Sequence, residues 1–251
     1  MGLRDNERPE RRQMVLFFLI DKSGSMAGEK IGSVNDAMQN MVPMIVDISN
    51  SNDEGEIAIA ALEFATDTKW AYDKPIKVTD YIPVKVQAEG LTSLGQACLE
   101  LNQKLDEKEG GPGFLTKSNN QTGYFEPAII LLSDGGPTDN FEAGLNTLKA
   151  NKWFKHAIKM AIAIGEDADL NVLEQFTGSK ESIVRVKNLD ALKAMIKLIA
   201  ITSTQLGSQS KASGSKTKQQ QVEEAIADQV ADIKGAETAN APKTDEYDEW
   251  D

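Results

Sequence analysis

Cysteine and histidine are almost absent from this chain of 251 residues, which contains one of each, Cys98 and His156. A single cysteine cannot form a disulfide within the chain, and it cannot build a thiolate zinc site. A single histidine excludes a metal cluster that needs several imidazole ligands from one chain. The nitrogen and sulfur chemistry of most transition-metal sites is therefore excluded.

Long apolar runs and an excess of basic residues are also missing. The longest apolar run, MVLFFLI at residues 14–20, is far shorter than the about 20 residues that span a bilayer. The opening MGLRDNERPERRQ lacks the apolar segment of a secretory signal. A net charge of −12 disfavours binding to a phosphate backbone. We therefore expect a cytoplasmic protein that binds neither membranes nor nucleic acids.

The order of apolar segments predicts an α/β fold. Apolar runs typical of buried strands alternate with segments whose apolar residues recur every three or four positions, as in helices. Such alternation favours a doubly wound, mainly parallel sheet with helices on both faces. The predicted strands are 14–20, 56–64, 128–134, 156–165 and 182–186, with a short edge strand within 68–78, and the predicted helices are 31–48, 93–105, 139–151, 171–176 and 191–204.

Composition divides the chain into three parts. Residues 1–13 are predicted to form a solvated arm, 14–206 the folded domain, and 207–251 a linker, a short amphipathic segment and a flexible acidic tail. Val222, Ile226, Val230 and Ile233 lie on one helical stripe of the amphipathic segment, which either docks on the domain or stays unfolded because a lone short helix is marginal in water.

The end of the first predicted strand carries the most specific chemistry. FFLIDKSGSM, residues 17–26, ends an apolar strand on Asp21 and then offers the hydroxyls of Ser23 and Ser25, separated by Gly24. Ligands bind beyond the carboxyl ends of parallel strands, where Asp134 also lies at the end of the AIILLSD strand. Oxygen ligands alone suit a hard cation such as Mg²⁺.

Three motifs resemble the von Willebrand factor A domain family, whose metal sites are called metal-ion-dependent adhesion sites. DKSGSM resembles the family's DxSxS motif, EGLTSLGQAC at 89–98 its second loop, and LLSDGGPTD at 131–139 its third. The resemblance covers roughly residues 14–205. Within the family, the chain resembles the bacterial cytoplasmic tellurium-resistance Y-type (TerY-like) group.

The resemblance implies a role for each matched residue. Ser23, Ser25 and Thr92 would contact Mg²⁺ through hydroxyl oxygens, Asp21 and Asp134 would act mainly through water, and a partner's carboxylate would complete the site. Mn²⁺ or Ca²⁺ could replace Mg²⁺, although few anionic ligands disfavour a tight Ca²⁺ cage. We further predict partner contacts at Gly24, Met26 and Gly135 beside the metal, and at Asp248 and Glu249 in the tail.

Purely structural roles remain open for the same residues. Asp21 and Asp134 could stabilise turns, the two serines are common turn residues, and Thr92 could cap the helix that follows it. Asp139 is interpreted as a helix cap and not as a ligand.

The predicted function is a metal-dependent protein-binding module in a bacterial stress-response or defence system, with a kinase or phosphatase as partner. One alternative is a substrate-presenting subunit of an AAA+ ATPase or chelatase-type assembly. Catalysis is disfavoured because no P-loop or GxSxG motif is present, and because Ser23 stands where an aspartyl-phosphate enzyme has its second acid. The tail carboxylates could also occupy the metal site of the same chain or of a second copy, which would permit self-association.

Overall fold

A computed structural model describes residues 11–106, 113–116, 120–208 and 216–239 of the chain. Within these ranges the centre of the fold is an eight-stranded sheet in the order β3-β2-β1-β5-β6-β7-β8, with β4 also pairing with β2. The strands are β1 (Arg12–Asp21), β2 (Gly55–Phe64), β3 (Thr68–Trp70), β4 (Ile76–Lys77), β5 (Ala128–Ser133), β6 (Ile158–Ile164), β7 (Ile183–Val186) and β8 (Ala236–Thr238).

The five central strands, β2, β1, β5, β6 and β7, run parallel, and the antiparallel pairs lie at the two edges. The run Met14–Ile20 is buried on both faces, which is why it is apolar at every position. The mainly parallel, doubly wound sheet that the sequence predicts is confirmed.

Two apolar layers cover the sheet. The described helices are α1 (Glu29–Ser51), α2 (Leu94–Leu105), α3 (Phe141–Lys149), α4 (Lys152–His156), α5 (Leu170–Thr177), α6 (Leu189–Gly207) and α7 (Lys218–Val230). Helices α1, α6 and α7 contribute to the core on one face, and α2, α3, α4 and α5 to the core on the other. Across the described ranges, no helix combines the length and the apolar character that crossing a bilayer requires.

The predicted boundary at residue 206 needs correction, because the chain beyond it returns to the domain. Val222, Ile226 and Val230 of α7 are buried in the same core cluster as α1 and α6. Strand β8 then pairs antiparallel with β7 and extends the sheet. Ile233, the fourth residue of the predicted stripe, lies beyond the end of α7 but packs against the same cluster. The stripe is thus an internal packing face, and the docked alternative is the one that the structure shows.

Two other predicted boundaries also shift. The segment 139–151 forms the shorter α3, which is followed by the one-turn helix α4. Because α4 continues through His156, strand β6 begins at Ile158 and not at His156. Asn140 and Asn151 accept hydrogen bonds from the first turns of α3 and α4, and this local capping separates the two helices.

Candidate metal centre

The carboxylate of Asp21 is fixed at the end of β1. Its side chain is fully buried, Oδ1 accepts a hydrogen bond of 2.8 Å from the Ser23 amide, and Oδ2 accepts one of 2.6 Å from the Ser133 hydroxyl. Ser133 ends β5, and it lies beside Asp21 because Ile20 and Leu132 pair in the parallel register. Two adjacent strands therefore orient one carboxylate toward the rim.

The charges around Asp21 are unusual for a buried acid. Burial raises the pKa of its carboxyl group, hydrogen bonds from Ser133 and Ser23 lower it in part, and the negative charge of Asp134 raises it further. The charged group among these causes is a second carboxylate, that of Asp134. A cation near the two carboxylates would offset this repulsion.

Two hydroxyl groups lie next to this carboxylate. Ser23 is buried and precedes a short 3₁₀ turn, Gly24–Met26, whereas Ser25 is exposed within that turn. Their Oγ atoms are 3.0 Å apart. The turn therefore brings both hydroxyls of the DxSxS motif to one point, as the sequence predicts.

Backbone hydrogen bonds connect this turn to the loop that carries Thr92. The Gly24 amide donates to the Gly90 carbonyl over 3.0 Å. Thr92 is 5% exposed. The residue before α2 is Ser93, so the structure does not show the capping role considered for Thr92.

The third loop is joined to the second by Thr138. The Thr138 amide donates to the Thr92 carbonyl over 2.8 Å, and the Thr138 hydroxyl oxygen accepts from the Thr92 amide over 3.1 Å. At the start of this loop lies Asp134, which is 8% exposed and whose carbonyl accepts from the Asp169 amide. All five predicted metal ligands thus lie on three connected loops at one edge of the sheet.

Gly135 follows Asp134 with a φ of 74°. A side-chain carbon at this position would lie 2.9 Å from the Asp169 carbonyl oxygen, so only glycine fits without displacement. The Gly135 amide also donates to the Ser133 hydroxyl over 2.8 Å. The glycine therefore fixes the backbone that holds the pair of Ser133 and Asp21.

Asp139 is a helix cap, as predicted, but it caps a different helix. Its two carboxylate oxygens accept hydrogen bonds from the Gly95 and Gln96 amides, 3.0 and 2.8 Å away, at the start of α2. The acid lies just before α3, yet it stabilises the N-terminus of its neighbour. This long-range cap fixes the helix that follows Thr92.

The predicted partner-contact residues differ in whether they are accessible at the surface. Gly24 is exposed as expected. Met26 has no exposed surface and packs into the core cluster with α1, and Gly135 is buried beneath the Asp169 backbone, so neither can contact a partner in this conformation. Asp248 and Glu249 lie outside the described residues.

Sequence reasoning missed Ser133 and Thr138, the two residues that orient Asp21 and Thr92. Ser133 could have been noticed in the sequence, because it is a hydroxyl residue at the end of an otherwise apolar strand.

Within the described ranges, no group of three or more His, Cys, Asp and Glu side chains could hold a metal ion. A cation at this rim would therefore depend on hydroxyl oxygens, which is the donor set that the motif supplies.

Comparison with known proteins agrees with this reading of the fold. A family model described as von Willebrand factor type A domain matches residues 16–198. No curated protein matches the chain closely in sequence.

Several solved structures share the fold at low identity. The pilus adhesin SpaC from Lactobacillus rhamnosus GG is 13% identical with a TM-score of 0.57, over 78% of this chain and 31% of that one. The ArnB paralog VWA2 from Sulfolobus acidocaldarius is 18% identical with a TM-score of 0.53, over 75% and 45%. Proximal thread matrix protein 1 of the mussel byssus, solved with a zinc-occupied MIDAS motif, is also 18% identical with a TM-score of 0.53, over 75% and 47%.

This chain thus covers about a third to a half of the length of these solved proteins. The match of the family model extends over more than half of the chain, from the body of β1 into α6. The chain belongs to the von Willebrand factor type A domain family.

Proposed function

We propose that the protein is a metal-dependent protein-binding module that uses Mg²⁺. Ser23, Ser25 and Thr92 would hold the ion through their hydroxyls, with Asp21 and Asp134 contributing negative charge, mainly through water. The bound ion would supply a positive charge that attracts a carboxylate of a partner protein. The observation that carries the proposal is that the buried Asp21 carboxylate, held by the Ser23 amide and the Ser133 hydroxyl, lies at the start of the turn whose two serine hydroxyl oxygens are 3.0 Å apart.

The surface beside the site supports a protein as the ligand. Among the described residues, the exposed large hydrophobic side chains are Ile82, Val84 and Leu91, all in the segment that leads into Thr92. Leu91 is 58% exposed and directly adjacent to Thr92. Apolar residues at the rim of a polar anchor are typical of protein-binding surfaces.

The proposal also names the identity of the metal and the cellular role of the protein. The zinc-occupied MIDAS motif of the mussel protein supports a divalent cation at such a site, with Mn²⁺ or Ca²⁺ as alternatives to Mg²⁺. The resemblance to the tellurium-resistance Y-type group supports a cytoplasmic role in bacterial stress response or defence, with a kinase or phosphatase as partner. Because the sequence offers no recognisable nucleophile and base, we assign no catalysis to the chain.

A test compares proteins captured from a native lysate by the wild type and by Asp21→Ala, each with Mg²⁺ and with EDTA. Asp53→Ala is the matched control, because Asp53 is an exposed acid just before β2, at the edge of the sheet opposite to the candidate site. We expect a partner that only the wild type and Asp53→Ala retain, and only with Mg²⁺. The same partners under all conditions would contradict the proposal.

The identity of the partner separates the two candidate settings. A kinase or phosphatase would favour the adaptor. An AAA+ ATPase would favour the alternative, in which the domain presents substrates to a larger assembly.

A further inference from the structure

A second feature of the structure lies at the opposite edge of the sheet, where the parallel strands begin. A cavity of about 540 Å³ opens there, and its walls include Arg12, Lys155, His156, Lys159 and Lys218. Glu126 is the one acidic residue in the described lining. This concentration of positive charge is unexpected in a chain whose net charge is −12.

Two cations of this basic cavity, Arg12 and Lys159, are held in place by hydrogen bonds to backbone carbonyls. Arg12 donates to the Tyr124 carbonyl over 2.6 Å and lies over the Phe125 ring. Lys159 donates to the Phe154 and Ala157 carbonyls over 3.2 and 2.9 Å. Within the described ranges, none of the ion pairs involves Arg12, Lys155 or Lys159. Fixed cations without an ion-pair partner are suited to binding an anion.

The charges around Lys159 and Lys218 also bear on the binding of an anion in the cavity. Burial lowers the pKa of the Lys159 ammonium group, and the charge of Glu223 compensates in part. Burial also lowers the pKa of Lys218, as does the like charge of Arg12, while Glu126 and Glu54 act in the opposite direction. Glu223 thus offsets the effect of burial on Lys159 only in part, so an added carboxylate would stabilise the charged form of this lysine.

The chain leaves the described structure close to this cavity. Strand β8 runs toward the same edge, and the Ala239 amide donates to the Ile183 carbonyl at the start of β7. Gln219 in the cavity wall bonds to the hydroxyl of Ser182, the residue before Ile183, and to the backbone of Lys159. Ala239 is two strand spacings from β6, which corresponds to about 10 Å across the sheet.

The 12 residues that follow Ala239 have the complementary charge. They contain one basic residue, Lys243, and a set of five acids, namely Asp245, Glu246, Asp248, Glu249 and Asp251. A coil of this length has a root-mean-square span of roughly 20 Å, which is more than the separation requires. The segment 1–10 is a poorer complement, with three acids and two arginines.

We infer that the basic cavity binds the acidic residues 245–251 of the same chain. Docking there would place the carboxylates of Asp248 and Glu249 at the edge opposite to the candidate metal centre. It therefore replaces the expectation that these carboxylates complete the metal site, and it does not depend on the proposed function. The metal centre would remain available to a partner protein.

The test is zero-length carbodiimide cross-linking of the full chain, followed by peptide mass spectrometry. The reagent joins a lysine amine to a carboxylate only where the two groups are in contact. We expect links from residues 245–251 to Lys155, Lys159 or Lys218, with or without EDTA. An equal mixture of ¹⁴N- and ¹⁵N-labelled protein should give links within one chain only.

Two charge reversals make the test specific. Lys155→Glu should reduce the links to Lys159 and Lys218 roughly fivefold, because it introduces a like charge at the cavity mouth. Lys85→Glu, at an exposed lysine that is not part of the cavity lining, should leave these links unchanged.

Three results would overturn the inference. Links that disappear in EDTA would assign the tail to the metal centre, and links between labelled and unlabelled chains would assign it to a second copy. Links from Glu7 or Glu10 to the same lysines, in place of the tail acids, would assign the cavity to the segment 1–10.

Discussion

The hydroxyl of Ser133 lies between Asp21 and Gly135: it donates to the Asp21 carboxylate over 2.6 Å and accepts from the Gly135 amide over 2.8 Å. Both serine contacts are buried. One side chain therefore couples the end of β1 to the loop after β5, and it orients the carboxylate that begins the DxSxS motif. Ser133 is thus a positioning residue for the candidate metal centre.

Replacing Ser133 by alanine should destabilise the fold and weaken metal binding. The change leaves one buried acceptor and one buried amide without a partner, which costs about 1–3 kcal/mol. Thermal or urea unfolding measures the loss, and Mn²⁺ titration measures the affinity. Ser203→Ala is the matched control, because the buried Ser203 hydroxyl has no partner among the described residues. Equal stability of the two variants would contradict the assigned role.

Asp21→Asn should have opposite effects without and with metal. Without metal, removing a buried charge that faces Asp134 should stabilise the protein by roughly 1 kcal/mol. With Mg²⁺, the wild type should gain stability and the variant should not, because ligand binding to the folded state raises its stability. Thermal unfolding across a Mg²⁺ series checks both parts. A wild type that is indifferent to Mg²⁺ and Mn²⁺ would contradict the prediction.

Gly135→Ala should be costly, and Gly136→Ala should be nearly neutral. The first adds a side-chain carbon 2.9 Å from the Asp169 carbonyl oxygen at a φ of 74°, whereas the second finds no atom within 4 Å. Strain of this kind costs on the order of 1–3 kcal/mol. Unfolding midpoints of the two neighbouring variants measure the difference, and similar midpoints would refute it.

Ile226→Ala tests whether α7 is part of the domain. The Ile226 side chain is buried in the core cluster, and its truncation should cost about 2–4 kcal/mol. Asp228→Ala changes an exposed position of the same helix and should have little effect. Cooperative unfolding of both variants should be followed by circular dichroism. An Ile226→Ala protein as stable as the wild type would mean that α7 does not contribute to the fold.

Glu63 predicts a dependence of stability on pH. Burial raises the pKa of its carboxyl group, an effect that Lys22 and Lys69 reduce and Glu89 increases. The folded state therefore binds this proton more tightly than the unfolded chain, and the ionised carboxylate lowers stability at neutral pH. Glu63→Gln should be more stable than the wild type at pH 7, and the difference should vanish once the pH falls below the unfolded pKa of about 4.3. A difference that is constant with pH would contradict this assignment.

Much of the fold could be predicted because its core strands are buried on both faces. Every residue of Met14–Ile20 is apolar and buried, so the segment is recognisable as a central strand. Asp21, which ends this strand, marks the edge of the sheet. The five predicted metal ligands come from the resemblance of three motifs, and the structure brings the loops that carry them together.

What could not be predicted depends on contacts between distant segments. Asp139 precedes α3 but caps α2, since only the folded chain brings the Gly95 amide to its carboxylate. Met26 directly follows the motif, yet it is buried in the core cluster together with apolar residues of α1. The docking of α7 depends on the surfaces of α1 and α6, which a single apolar stripe does not reveal.

The most direct test of the central claim is a titration of the wild type with Mn²⁺, followed by electron paramagnetic resonance. The titration is repeated with Ser25→Ala and with the control Ser51→Ala, both at exposed serines. The account predicts one Mn²⁺ per wild-type chain, displaced by Mg²⁺, weakened at least about tenfold in Ser25→Ala and unchanged in Ser51→Ala. No bound Mn²⁺, or equal affinity in all three proteins, would contradict a metal centre built on the DxSxS hydroxyls.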